Sequence, residues 1–394
     1  MKTALWLYLF LFLAFFDLHA QYPILTPFAL SLGAGPAFIG WMMGMYSLTH
    51  LPGNLLAGVL VDRNGSRRYI VFSLIAAGLV LLVQAHVQLP WHLLLLRAIS
   101  GFVLAFLSPA CMTLLASLSS DPGTQGKYMS GHGIIHTLAS VVSPAAGAFI
   151  VREAGYSGTF STLGWLLIAT GAMAFLSVPR RAPKPAPLPA VQAAHNGGQS
   201  AAHVPAWTQT PVSKRYYLLP FFVSCAQGVL FFELPLSKGA EGMVSTGILF
   251  SLLSLGALLT LSLMFLNRRS PGARIAAALL GMSLCFFALA SFPVIPAGVV
   301  LFLMGAAKGV LFPAMASLFI KLGNGGHMGR TFSLQSIAMS IGSFAGPVAA
   351  GQLRGFVSPY FIAFILLMAA LLMFPPFGSG KRSVYRPDWN NPAA

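Results

Sequence analysis

The chain has 394 residues, of which 57% are hydrophobic and only 8% charged. A soluble domain carries about 25% charged residues, so this composition excludes a soluble globule and points to lipid as the solvent. Seven acidic residues oppose 23 basic ones. The basic residues fall between apolar runs rather than in one patch, which excludes a nucleic-acid footprint and fits membrane orientation.

A chain of this length can supply about twelve apolar spans of roughly 20 residues. Windows of apolar sequence predict them at 4–32, 37–61, 69–87, 91–118, 127–151, 158–178, 215–236, 243–266, 274–292, 295–320, 330–353 and 357–377. The expected fold class is all-α integral membrane, with twelve helices in two six-helix bundles. Residues 1–178 form the first bundle, 179–214 a flexible cytoplasmic linker, 215–378 the second bundle and 379–394 a cytoplasmic tail.

The first span opens on Lys2 and an apolar run ending at Leu18-His19-Ala20, which superficially fits a signal peptide. Asp17 beside the cleavage point, and the apolar resumption at Tyr22-Pro-Ile-Leu, argue for a retained span instead. Asp17 is an ionisable carboxyl in mid-span, costing about 2.5–3.5 kcal/mol to insert. It is expected to serve a transport path as a protonatable or cation-binding group, the alternative being a tie to a neighbouring helix. Gln21 lies one turn on, on the same face, whereas His19 points elsewhere. Pro23 and Pro27 weaken this helix, as suits a span that bends around a cavity.

The second span carries Tyr46, His50, Asn54, Gly58 and Asp62 at four-residue intervals, a polar stripe from mid-membrane to one surface. Interhelical hydrogen bonding explains such a stripe as well as function does. A charged turn follows, Asp62-Arg63-Asn64-Gly65-Ser66-Arg67-Arg68. In the fourth span, Arg97 precedes Ser100-Gly101. A fixed guanidinium there can tune a carboxyl or hold substrate, while snorkelling toward the helix start at Trp91 is the alternative. The fifth span places His132 and His136 on one face, then Ser143-Pro144. Two histidines are too few for a zinc site, so proton handling or substrate hydrogen bonding is expected and no metal.

Residues 179–214 begin Pro-Arg-Arg-Ala-Pro-Lys-Pro and continue in Gly, Gln, His and Ala, a composition that cannot bury a core. In the second half, Lys308 lies mid-span with no counterpart in the first, and is expected to seek Glu233 or Asp17 or to bind an anionic group. Glu233, near a span end before Pro235, is expected to face water. Gln227 and Gln335 complete the expected cavity set with Gln21, Tyr46, Asn54 and Lys308. Cys111, Cys225 and Cys285 all lie in apolar stretches and read as packing residues.

With the N-terminus inside, eighteen basic residues fall on the inner side and three (Arg152, Lys238 and Arg354) on the outer, a strong orientation signal. Both termini are therefore expected in the cytoplasm. The halves also repeat. Gly101 and Pro109 match Gly305 and Pro313, Asp62-Arg63 matches Asn267-Arg268, Gly126-Lys127 matches Gly329-Arg330, and Ser143-Pro144 matches Gly346-Pro347, at offsets of 203–205 residues. A near-constant offset implies a duplicated six-span unit, both copies in one orientation.

The charged turn, preceded by Gly58, resembles the loop between the second and third helices of the major facilitator superfamily, roughly G-x-x-x-D-R-x-G-R-R, with Ser66 departing from its usual basic residue. Arg97 with Ser100-Gly101 resembles the family's R-x-x-Q-G, and Gly342, Gly346, Pro347 and Gly351 resemble the antiporter motif of its drug:proton exporters. The span-five copy is eroded, with Ala139 and Ser143 where Gly is usual.

The resemblance implies alternating access to a midplane site, with proton coupling at Asp17, Arg97, His50, His132 and His136. Gating would fall to Gly58, Asp62, Arg63, Gly65, Arg67, Arg68, Ser143, Pro144, Gly346 and Pro347. Asp62 would lock the inner gate against the start of span eleven. The expected activity is proton-coupled export of a small amphipathic molecule, by a protein working as a monomer in a cell membrane. The alternatives are an exporter or flippase for a lipid-linked sugar or metal-chelating metabolite, an uptake symporter, and a membrane protein that transports nothing. No nucleotide loop or catalytic constellation is apparent, so neither an enzyme nor a cofactor is expected.

Overall fold

A computed structural model describes residues 2–119, 121–178, 214–238, 242–263, 270–322 and 328–373. Much of the inferred linker, the C-terminal tail, and Asn267-Arg268 of the second charged turn lie outside the described residues.

The described residues form thirteen α-helices and no strand: α1 (Lys2–Ala20), α2 (Tyr22–Ser31), α3 (Pro36–Asn64), α4 (Ser66–Gln84), α5 (Pro90–Leu104), α6 (Leu107–Ser117), α7 (Pro122–Ser177), α8 (Leu218–Lys238), α9 (Met243–Ser262), α10 (Pro271–Ser291), α11 (Ala297–Leu322), α12 (Met328–Leu353) and α13 (Pro359–Met373). They reproduce the twelve expected spans with three local differences, and each has a backbone cause.

The first span is broken at Gln21 into α1 and α2. Pro23 has no N–H to give the carbonyl four residues back, so the ladder lapses there. The fourth span breaks at Ala105-Phe106, and Pro109 removes the bond that Ala105 would have accepted. Conversely, spans five and six run together as α7, turned by Gly155 at φ +69°. Only glycine takes that left-handed conformation without strain.

Eight segments are long and apolar enough to cross a membrane by length and composition. Helices α3 and α12 are not among them. Gly, Ser, Asn, His and Gln dilute their apolar runs, and these two helices pack against each other between the halves. Such dilution suits helices that face protein and a polar cleft rather than lipid.

The halves are built alike. In the first, α1 packs on α7, α3 on α5, and α4 on α7. In the second, α8 packs on α12, α9 on α11, and α10 on α13. These are the same pairings one repeat later. The repeat reaches individual glycines: Gly53 lies on the Phe102 carbonyl, and Gly256, 203 residues on, lies on that of Phe302.

Contacts across the halves obey the same symmetry. Gly40 of α3 meets the Pro347 carbonyl of α12, and Gly247 of α9 meets the Pro144 carbonyl of α7. Gly44 lies against Phe344, and Gly351 against the Pro36 carbonyl. Tyr22 stacks on Phe231, with centroids 4.2 Å apart. These contacts gather toward the end where α2 finishes and α3 begins. At the opposite end, Asp62 and Arg63 are exposed.

Candidate functional site

The break at Gln21 lies beside Arg97 of α5, and a buried polar cluster forms there. Asp17 is 1% exposed, Gln21 2% and Arg97 3%. The Gln21 Nε2 donates to Asp17 Oδ1 at 2.8 Å, and Arg97 Nη1 donates to Gln21 Oε1 at 3.3 Å. One amide therefore uses its donor on the carboxylate and its acceptor on the guanidinium. The Arg97 guanidinium also lies over the Tyr46 ring, 4.6 Å from its centroid, a contact worth about 2 kcal/mol when desolvated. Tyr46 in turn stacks on His50 at 5.7 Å. Gly101, one turn beyond Arg97, lets α5 close onto the Tyr46 carbonyl, which holds this geometry. Arg97 thus does not snorkel.

A second cluster lies on another face of α1. His136 of α7 is edge-on to Phe15 at 4.7 Å and to His19 at 5.1 Å. His136 is nonetheless solvent-accessible. His132, one turn earlier, touches Phe15 and bonds Ser108 Oγ at 3.2 Å. Lys308 of α11 acts electrostatically on both His19 and His136. It pairs with no carboxylate among the described residues, and its ammonium lies 5.7 Å from the Phe312 ring.

Glu233 departs from expectation. It does not face water but is buried, and Arg354 donates to both its oxygens, at 2.9 and 3.2 Å. Desolvation makes a bound partner the favoured outcome for a carboxylate there. The pair fastens α8 to α12 and leaves Lys308 without the acidic partner first considered for it.

Other expected residues lie apart from the two clusters. Gln227 and Asn54 are half-buried. Gln335 is half-buried with its Oε1 unpaired. Asp62, Arg63, Gly65 and Arg68 are exposed, as is Gly58. Arg67 donates to the Phe175 carbonyl and lies over that ring at 4.7 Å, tying α4 to the end of α7. Arg330, near the start of α12, has a side chain outside the described residues. Ser143 donates to the Ala139 carbonyl, and Pro144 and Pro347 sit at the contacts between halves. Among the described residues, no group of three His, Cys, Asp or Glu could hold a metal ion.

His19, Phe15, Tyr22, Phe231 and Ser108 were not marked by the sequence. His19 does point away from the Asp17 face, as its position in the helix predicts. That its own face meets His136 of α7 depends on packing alone.

The sequence profile of the Major Facilitator Superfamily matches residues 7–347. The chain belongs to that superfamily. Its members are transporters of small molecules, not enzymes. The superfamily relatives include the puromycin resistance protein pur8 of Streptomyces alboniger, 29% identical over 31% of this chain and 24% of that one. The inner membrane transport protein YajR of Escherichia coli (strain K12) is 30% identical over 38% of this chain and 32% of its own length. The match thus spans a quarter to a third of those two relatives. Among solved structures, a bacterial homologue of the human lysosomal transporter Spinster, in an inward-facing and occupied conformation, superposes with TM-score 0.73 at 14% identity over 95% of both chains. At that identity the likeness establishes the superfamily fold and nothing finer.

Proposed function

We propose that this facilitator exports a small amphipathic molecule in exchange for protons. The observation that carries the proposal is the bridge Asp17–Gln21–Arg97, a buried carboxyl bonded through one amide to a buried guanidinium. A carboxylate in this position is held by a donor and a nearby cation. Protonated, it loses charge, and its hold on the Gln21 donor and on Arg97 weakens. The exporter direction is favoured by the drug-resistance relative.

The basic-residue asymmetry supports a cytoplasmic N-terminus and a cell-membrane location. The end sealed by Gly40, Pro347, Gly247 and Pro144 is then the outer one, and the cleft opens inward. In that state the Asp62 lock is disengaged, consistent with the exposure of Asp62 and Arg63. In the outward-open state Asp62 would meet the exposed amides at the start of α12. Arg67 and Arg68 would support that lock, while Ser143-Pro144 and Gly346-Pro347 act at the opposite gate. His50, His132 and His136 would assist proton passage.

The test uses purified protein in proteoliposomes carrying a lumenal pH dye. A lipophilic cation, a zwitterionic chelator and an anionic amphiphile are added in turn under an imposed pH gradient. Proton movement evoked by one of them, and reduced at least tenfold in Asp17→Asn, is expected. Substrate flux indifferent to the gradient and to Asp17→Asn would overturn proton exchange and favour a facilitator or flippase.

A further inference from the structure

We propose that the cleft recognises a small organic anion, a carboxylate or phosphate, gripped between Lys308 of the second half and His19 and His136 of the first. This rests on the cleft being the transport site and names the chemistry of what enters it.

Three observations converge. Lys308 lies in the middle of α11, and no carboxylate among the described residues is within ion-pair distance of it. The other charged groups of these clusters each have at least one partner, with Arg97 Nε alone of their buried atoms left unpaired. Asp17 is engaged with Gln21, Arg97 with Gln21 and Tyr46, and Glu233 with Arg354. An uncompensated ammonium inside a membrane protein is costly, so its retention calls for a ligand of opposite charge.

Second, the His19 ring is 9% exposed, and its Nε2 has no hydrogen-bond partner. A buried ring nitrogen left unmatched costs about 1–3 kcal/mol. It is contacted by Tyr22 and by His136. Third, His136 is open to solvent while packed between Phe15 and His19. Lys308 lies within electrostatic range of both histidines, so one small ligand spans a histidine and Lys308.

Phe15, Tyr22 and Phe312 supply apolar ring surface beside these polar groups. The site thus fits an anionic head with an aromatic or aliphatic body. Because Lys308 and the histidines belong to different halves, an anion between them adds contacts across the cleft. A cationic drug would instead face Lys308 at like charge.

The test measures equilibrium binding by full-length protein in phosphatidylcholine nanodiscs, with no gradient. The probes share one ring system: 1-naphthoate, 1-naphthyl phosphate, 1-naphthamide and 1-naphthylmethylammonium. The two anions are expected to bind at least tenfold more tightly than the amide or the ammonium. Lys308→Ala should erase that preference and Lys308→Arg retain it. His19→Phe, which keeps the packing volume, should weaken anion binding severalfold, and serves if Lys308→Ala does not fold. Equal binding of all four probes, a preference for the ammonium, or a preference that survives Lys308→Ala would overturn the proposal.

Adding phosphatidylglycerol to the discs separates two sources of the anion. Competition with naphthoate assigns the site to a lipid headgroup, and its absence assigns it to a soluble anion. The two levels of inference fail separately. Anions that bind without any flux count against transport alone. Cations that drive proton flux, with no anion binding, count against this inference alone.

Discussion

At the scale of single residues, the most consequential is Gln21. Its amide joins Asp17 to Arg97 through hydrogen bonds, and it sits where α1 breaks. Gln21→Ala removes a donor from a buried carboxylate and an acceptor from a buried guanidinium. Each group left unmatched costs about 1–3 kcal/mol, so a fall of several degrees in melting temperature is expected by fluorescence-based unfolding. Loss of substrate-evoked proton flux should accompany it. Gln21→Glu should keep the contact to Arg97 but place two carboxyls one turn apart, and is expected to fold while altering the pH dependence of flux.

The Glu233–Arg354 pair makes a contrasting prediction. Arg354 is about a third exposed and Glu233 is not, so solvent screens part of the interaction. Arg354→Ala should cost about 1–2 kcal/mol, less than breaking a fully buried pair. Double substitution with Glu233→Gln should recover part of that loss, as a thermal-stability cycle would reveal.

At the scale of helices, the contacts between the halves rest on glycine against carbonyl. A methyl at Gly40 would collide with the Pro347 carbonyl, and one at Gly247 with that of Pro144. These collisions exist only while this end is shut. Gly40→Ala should therefore destabilise the shut state relative to the open one and shift the population toward opening at this end. A cysteine introduced at Ala37 would report it, becoming more reactive to a membrane-impermeant maleimide in the Gly40→Ala background. Unchanged labelling would mean that the helices adjust around the methyl group.

The elements were largely legible in the sequence, because a lipid solvent demands long apolar runs and loops concentrate charge and glycine. The breaks inside the first and fourth spans are encoded by Pro23 and Pro109, yet proline in a span can equally bend a continuous helix, so their positions needed the backbone. Among the candidate sites, Asp17, Gln21 and Arg97 were visible as polar groups at odds with their surroundings. Their connection through the Gln21 amide was not visible, since residues 76 positions apart meet only in the fold. His19 escaped for a similar reason. Glu233 was misjudged because nearness to a span end does not decide which way a side chain turns.

At the scale of the whole molecule, the duplicated unit means that equivalent contact seams stand on both halves. The pairs α3–α12 and α7–α9 close the same end by symmetry-related contacts. Substituting Gly40 and Gly247 together should therefore open that end more than either alone. Labelling of the Ala37 cysteine should rise by about the product of the single effects if the two seams break as one.

Lys308 also gives the transport cycle an electrical asymmetry. On the anion proposal Asp17, while ionised, and Arg97 offset each other, as do Glu233 and Arg354, so Lys308 leaves the empty site with one surplus positive charge. A bound monovalent anion cancels it. On the proposed exchange, the anion-loaded protein reorients as a neutral body, while the proton-loaded return, with Asp17 neutral, carries the charges of Lys308 and Arg97 through the field. A full elementary charge moved across 100 mV is worth about 2.3 kcal/mol, and some fraction of that acts on the proton-loaded return. With a negative interior, the resting carrier is drawn toward the cytoplasmic side, ready to load, and its turnover becomes a function of voltage.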